Sequence, residues 1–248
     1  MSGHSKWHNI RLRKGKQDAE RGKTFTKLAK EIIMAAKDGG GNPDTNIRLR
    51  TAVETARKSS MPNDNIKRAI QRGTGELEGV SYEELTYEGY GPGGAAFLVQ
   101  CLTDNKQRTV ADVRAIFTKL GGRLAESGSV GYLFNPTGVF LIDPGVTTEE
   151  RLMEVVLDAG AEDVQPTDEG GFEVTTAFED FGAVRAALDT AKIAVASAET
   201  TMIPMTTVTL EGKDVEQAFK LYDRLDDNDD VQNVYANFDA SEEALAAA

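Results

Sequence analysis

One cysteine, one tryptophan and two histidines are all that this 248-residue chain holds of those residue types. A lone Cys101 excludes an internal disulfide framework and suits a reducing compartment. His4 and His8 have the four-residue spacing of helical zinc ligands, but no third histidine follows and a lysine stands between them. No metal site is expected there. Two histidines in one polar arm also give no basis for a Ser-His-Asp or Cys-His relay. No stretch approaches the roughly 20 apolar residues that span a bilayer. The opening segment has no apolar core of a secretory leader, and its Asp18, Glu20 and few serines argue against a transit peptide. The expectation is a cytoplasmic, non-enzymatic chain with no cofactor and no membrane partner.

What is present is an uneven distribution of charge. The formal net charge is -12, yet residues 1–75 hold 17 Lys and Arg against 7 Asp and Glu, and the remainder hold 11 against 33. A basic module is thus joined to an acidic body, which suggests that the front of the chain meets polyanions while the rest repels them. The acidic part suits solubility or a protein partner.

The pattern along the chain predicts an α+β multidomain fold. Residues 1–78 read as a basic arm followed by a helical domain. Its first helix spans about 25–38 and ends at "GGG"; its second starts at "NPD", with Asn42 as N-cap and Pro43 in the first turn, and runs to Lys58; its third spans about 62–73. After Gly79, "YEELTYEGYGPGGAAFLVQCLT" reads as two strands about a turn, followed by a helix over 106–120. "SVGYLF" and "GVFLID" read as strands separated by Asn135-Pro136. Residues 135–204 then follow a βαββαβ order, the ferredoxin-like pattern, with capping boxes expected at Thr147/Glu150 and Thr176/Glu179. Segments 79–134 and 205–240 are each half of an α/β sandwich. They are expected to complete one another as a discontinuous domain around the insert.

The candidate binding residues lie in the basic module. In the arm they are Lys6, Trp7, Arg11, Arg13, Lys14, Lys16 and Arg21, in a segment too poor in apolar residues to fold alone; such arms order on nucleic acid by neutralising phosphates. Trp7 would stack on a base or, preferably, anchor the arm in an apolar notch. On the first helix Lys23, Lys27, Lys30 and Lys37 fall within about 80° of one another in projection, opposite Phe25, Leu28, Ile32 and Ala36. Arg50, Arg57 and Lys58 oppose the apolar residues of the second helix, and Lys67, Arg68 and Arg72 those of the third. Carboxylates are sparse on these faces, whereas a merely solvated face mixes signs.

Two further motifs are set aside. "GYGPGG" is followed by a strand rather than the helix N-terminus that a phosphate loop needs. "DRLDDNDD" lacks the central Gly and terminal Glu of a calcium loop and reads as a solvated turn.

The stretches "GHSKWHNIRLRKGKQDAERGKTFTKLAKEI", "GGGNPDTNIRLRTAVETARKSSMPNDNIKRAI" and "YEGYGPGGAAFLVQCLTDNKQRTVADVR" resemble those of the YebC/PmpR family, whose mitochondrial relatives include the translational activator of cytochrome c oxidase subunit I. The resemblance implies three domains and a regulator without catalytic residues. It implies DNA binding and transcriptional regulation for the bacterial branch, and action on translation, through rRNA, tRNA or the ribosome, for the mitochondrial one.

Overall fold

Helix α1 (Arg21–Gly39) begins the part of the chain that the computed structural model describes, which is residues 21–240, with side chains from residue 24. Ile32, Ile33, Ala35 and Ala36 bury one face of α1 against Leu49, Ala52, Val53 and Ala56 of α2 (Ile47–Lys58) and Ile66 and Ala69 of α3 (Asn63–Gly73). Gly40, at φ +83°, ends α1 in the left-handed region. The close approach of α1 and α3 is set by Gly73, where a Cβ would lie 2.4 Å from the Ile33 carbonyl oxygen.

The N-cap of α2 is Asn46, not Asn42. Its Oδ1 accepts from the Leu49 N–H at 3.0 Å, while its Nδ2 donates to the carbonyls of Ala35 (2.7 Å) and Gly40 (2.8 Å). One buried amide therefore closes the end of one helix and the start of the next, which Asn42 does not do. Asn42 instead accepts from the Asp44 N–H and shapes the preceding turn.

Beyond the bundle, β1 (Glu83–Tyr90) and β2 (Ala96–Thr103) form an antiparallel hairpin, from Glu83↔Thr103 to Tyr90↔Ala96. Helix α4 (Lys106–Lys119) follows, then the short β3 (Arg123–Leu124). The sheet order is β3-β1-β2-β9, with β9 (Val231–Ala236) supplied by the far end of the chain and antiparallel to β2. Helices α4 and α7 (Lys213–Asp226) carry Val113, Phe117, Val215, Leu221 and Leu225 into a core shared with Phe97, Val99 and Val234. A parallel pair of short strands, β8 (Val208–Leu210) and β10 (Phe238–Ala240), completes this region.

Between these halves run β4 (Phe134–Ile142), α5 (Glu149–Val156), β5 (Ala161–Pro166), β6 (Phe172–Ala177), α6 (Phe181–Thr190) and β7 (Ser197–Pro204). Their sheet order is β5-β6-β4-β7, the strand arrangement of a ferredoxin-like βαββαβ sandwich. Phe140 and Phe181 stack at 4.7 Å in its core. Three local features differ from the expected ones. Residues 131–133 form a 3-10 turn rather than a strand, and β4 runs through Pro136, which precedes the first residue paired with β6, Thr137. Thr148, not Thr147, caps α5 by accepting from the Arg151 N–H. Thr176 caps no helix: it lies in β6 and donates to the Gly160 carbonyl at 2.8 Å.

The chain divides into two compact units. One runs up to Leu133 and resumes at Pro204; the other spans Phe134–Ile203. The helical bundle and the discontinuous sheet thus lie in one unit.

Candidate nucleic-acid interface

Three of the cations predicted to face outward do not. Lys30 is 6% exposed, and its ammonium donates to the Leu102 carbonyl (3.1 Å), the Asp229 carbonyl (2.8 Å) and Asp230 Oδ1 (3.0 Å). All three of its protons are thereby used. The Tyr82 ring centroid lies 5.4 Å away. One turn earlier, Lys27 Nζ donates to the Asp226 carbonyl at 2.6 Å and stands 3.5 Å from that residue's carboxylate. Asp226 is the last residue of α7, where the helix end presents unpaired carbonyls and partial negative charge. Arg50 donates from Nε to the Pro43 carbonyl (3.0 Å) and from Nη2 to that of Asp44 (2.8 Å), bracing the turn before α2. A helical projection locates a cationic face but not the acidic element that covers it.

The covering element is built on Asp230, in the segment set aside as a solvated turn. Asp230 is buried. Its Oδ2 accepts from Arg108 Nη2 (2.7 Å), Arg108 Nε (3.2 Å) and the Thr109 hydroxyl (2.9 Å), and its Oδ1 accepts from Lys30. Burial alone would push this carboxyl up; the hydrogen bonds from Arg108, Lys30 and Thr109 outweigh it and hold the group below its ordinary value. The node ties the bundle to the sheet. Arg48, which the sequence argument did not single out, does the same at a second point by pairing with Glu31, Asp38 and Glu84. The signal for Asp230 was its place in a carboxylate-rich turn immediately before an apolar strand; nothing in the spacing marks which of those carboxylates is buried.

The remaining cations are exposed: Lys37, Arg57, Lys58, Lys67, Arg68 and Arg72. Lys37 Nζ reaches the Tyr82 carbonyl at 3.4 Å. On α3, Asp64, Lys67, Arg68, Gln71 and Arg72 are all exposed at helical spacing, while Ile66 and Ala69 are buried. Arg57, Lys67, Arg68 and Arg72 make no ion pair among the described residues. Lys6, Trp7, Arg11, Arg13, Lys14 and Lys16 lie outside the described residues, as do the side chains of Arg21 and Lys23.

No group of three or more His, Cys, Asp or Glu among the described residues is placed to hold a metal ion. Burial pushes the Cys101 thiol up to about 12, and the nearby Asp230 charge adds to this, so the thiol is not a nucleophile at neutral pH. No described helix is long and apolar enough to cross a membrane.

Two family models together account for nearly the whole length: the TACO1/YebC protein N-terminal domain matches residues 5–76, and the TACO1/YebC second and third domain matches residues 82–238. The chain belongs to the TACO1/YebC family. Among TACO1/YebC relatives, it is 56% identical over 245 residues to the "Probable transcriptional regulatory protein GSU1074" of Geobacter sulfurreducens, covering 99% of this chain and 98% of that protein. It is 55% identical over 248 residues to "Probable transcriptional regulatory protein HRM2_04000" of Desulforapulum autotrophicum, covering both in full. The crystal structure of a conserved hypothetical protein, Aq1575 of Aquifex aeolicus, matches with a TM-score of 0.80 at 44% identity, over 92% of this chain and 94% of that one.

Proposed function

We propose that this TACO1/YebC member is a non-enzymatic, cytoplasmic, nucleic-acid-binding regulator of transcription, and that α3 together with the basic arm forms its polyanion surface. The observation that carries this reading is the exposed stripe Lys67, Arg68, Gln71 and Arg72, whose cations are not neutralised by carboxylates among the described residues. Lys and Arg at such positions neutralise phosphates, and Arg and Gln are the side chains that read guanine and adenine edges in a major groove. The regulatory names of the two bacterial relatives agree with duplex DNA as the target. In this reading binding falls to residues 1–78, and the expected discontinuous domain (79–134 with 205–240) and insert (135–204) shape the surface or receive a protein partner.

A second reading keeps the same face but places it on rRNA or tRNA at the ribosome. It is favoured by the arm, whose cations without apolar support suit irregular RNA surfaces. The test is fluorescence anisotropy on duplex DNA across a salt series, beside ribosome co-sedimentation, for the wild type and for the Lys67→Gln/Arg68→Gln/Arg72→Gln variant. The logarithmic salt slope is expected to fall by about 3 in the variant, near one unit per lost phosphate contact. An unchanged slope overturns the α3 assignment. Ribosome association that depends on these residues, without sequence preference on duplex DNA, moves the target to RNA.

A further inference from the structure

A cavity of about 460 Å³ lies where β1, β3 and α4 converge, remote in sequence from the α3 stripe, and is lined by Tyr90, Arg114, Arg123, Leu124, Glu126 and Ser129, with Ala125. This volume is in the range of small-molecule sites. It is an open cleft on the surface, and two of its features bear on binding. First, its walls are fixed. Tyr90 and Arg123 are directly opposed in the β1–β3 ladder, which sets their side chains on one face, and the Arg123 guanidinium lies 5.0 Å from the Tyr90 ring centroid. The Tyr90 hydroxyl donates to the Ser129 carbonyl at 3.1 Å. The loop bearing Ser129 is held from below by Glu88, a buried carboxylate that accepts from the backbone N–H groups of Gly128 (2.7 Å), Val130 (2.6 Å) and Gly131 (2.8 Å).

Second, its charge is uncompensated. Arg114 and Arg123 are exposed and make no ion pair among the described residues, even with Glu126 in the same lining. Two guanidiniums beside one carboxylate leave a local positive excess within a body that is otherwise strongly acidic. A guanidinium fork matches the oxygens of a phosphate, and the Tyr90 ring with the Arg123 guanidinium over it, beside Leu124, offers a surface for an aromatic ring.

We propose that this cavity binds a nucleotide, with Arg114 and Arg123 on its phosphate and the Tyr90–Arg123–Leu124 wall against its base. The shared chemistry is a phosphate ester carrying a nucleobase, and its source is either a free mononucleotide or one residue of a single strand. The assignment stands on this cavity alone and does not require α3 to bind nucleic acid.

The test is calorimetric titration of the full chain with AMP, adenosine and inorganic phosphate, and anisotropy with a labelled oligoadenylate. The wild type is expected to bind AMP more tightly than either adenosine or phosphate, and Arg114→Ala and Arg123→Ala are each expected to weaken it about tenfold or more, as for the loss of a charge-assisted contact. Arg123→Lys keeps the charge but removes the guanidinium from over the Tyr90 ring, so it is expected to weaken AMP more than phosphate. If AMP does not bind while oligoadenylate does, and its affinity falls in the Arg114 and Arg123 variants, the source is a strand. The Lys67→Gln/Arg68→Gln/Arg72→Gln variant separates the two proposals: AMP affinity is expected to survive in it whatever happens to duplex binding. Affinity for AMP and oligoadenylate unchanged in Arg114→Ala and Arg123→Ala, at wild-type melting temperature, overturns the assignment. Phosphate binding as tight as AMP binding overturns the nucleotide class.

Discussion

Helices α1 and α3 each carry cations on the side away from their apolar stripe, and these cations meet different surroundings. Lys27 and Lys30 of α1 meet the end of α7 and the Asp229–Asp230 corner, so their charge is consumed inside the protein. Lys67, Arg68 and Arg72 of α3 meet solvent. The same residue type, at similar spacing, is mortar in one helix and exposed surface in the other. The difference lies outside both helices. It is set by where the acidic body places its carbonyls and carboxylates, and α1 is the helix laid against them. Some of the positive charge in the basic module is therefore not available to a polyanion, and among the described residues the exposed part without an ion pair lies chiefly on α3, with Arg57 of α2.

The sharpest way to break this comparison is to remove Lys30. Truncating one partner of a buried ion pair costs about 3–5 kcal/mol when the other is left uncompensated. Arg108 and Thr109 still hold Asp230 here, so Lys30→Ala is expected at the low end, about 3 kcal/mol in urea unfolding. A cost no larger than that of an exposed lysine would mean that Lys30 is solvated and that the two helices do not differ. Charge reversal at Lys30 is correspondingly unsuitable as a probe of nucleic-acid binding, since it is expected to undock the bundle first.

Next in size is the response to acid. Asp230 is held below the ordinary carboxylate value by its three donors against burial, and Glu88 by its backbone N–H donors against burial. A folded value below the unfolded one of about 4 means that the stabilisation is complete above that pH and is lost as pH falls through the lower folded value. Unfolding free energy measured from pH 7 downward should therefore decline below about pH 4 in the wild type. It should decline less steeply in Asp230→Asn and in Glu88→Gln, and the latter is also expected to lose about 2–3 kcal/mol at pH 7 with its charge-assisted hydrogen bonds. Equal slopes in wild type and variants would show that neither carboxylate is held by the fold.

Much of the fold was legible because it is written locally. The glycines that end α1, the apolar run of β2 and the strand–helix order of the insert all act through neighbours a few residues away. That segments 79–134 and 205–240 complete one another was inferable only because each is half a sandwich; the register of β2 with β9 was not. What was not legible depends on choice among equivalent local options. Asn42 and Asn46 are both competent caps, but only Asn46 also reaches the Ala35 and Gly40 carbonyls. Thr147 and Thr148 are likewise both competent caps, and only Thr148 accepts from the Arg151 N–H. At the candidate interface, the outward face of α3 is readable from periodicity alone, since one face is buried and nothing among the described residues covers the other. Lys27, Lys30 and Arg50 were misassigned because their partners are mostly backbone carbonyls, which carry no residue identity in the sequence.

The smallest effects sharpen the comparison most finely, because they set one partly docked cation beside three free ones. Lys27 is about one-fifth exposed and caps the carboxyl end of α7. A cation in that position contributes through a hydrogen bond and the helix dipole, so Lys27→Ala is expected to cost about 1 kcal/mol. The Lys67→Gln/Arg68→Gln/Arg72→Gln variant changes three charges yet removes no intramolecular ion pair among the described residues. Its melting temperature is expected to match the wild type, or to rise slightly as repulsion between neighbouring cations is relieved. One docked lysine should therefore matter more to folding than three exposed cations together, while the three should matter more to polyanion binding. If the triple variant melts well below Lys27→Ala, the α3 cations have partners within the protein, and that helix loses its claim to be the open face.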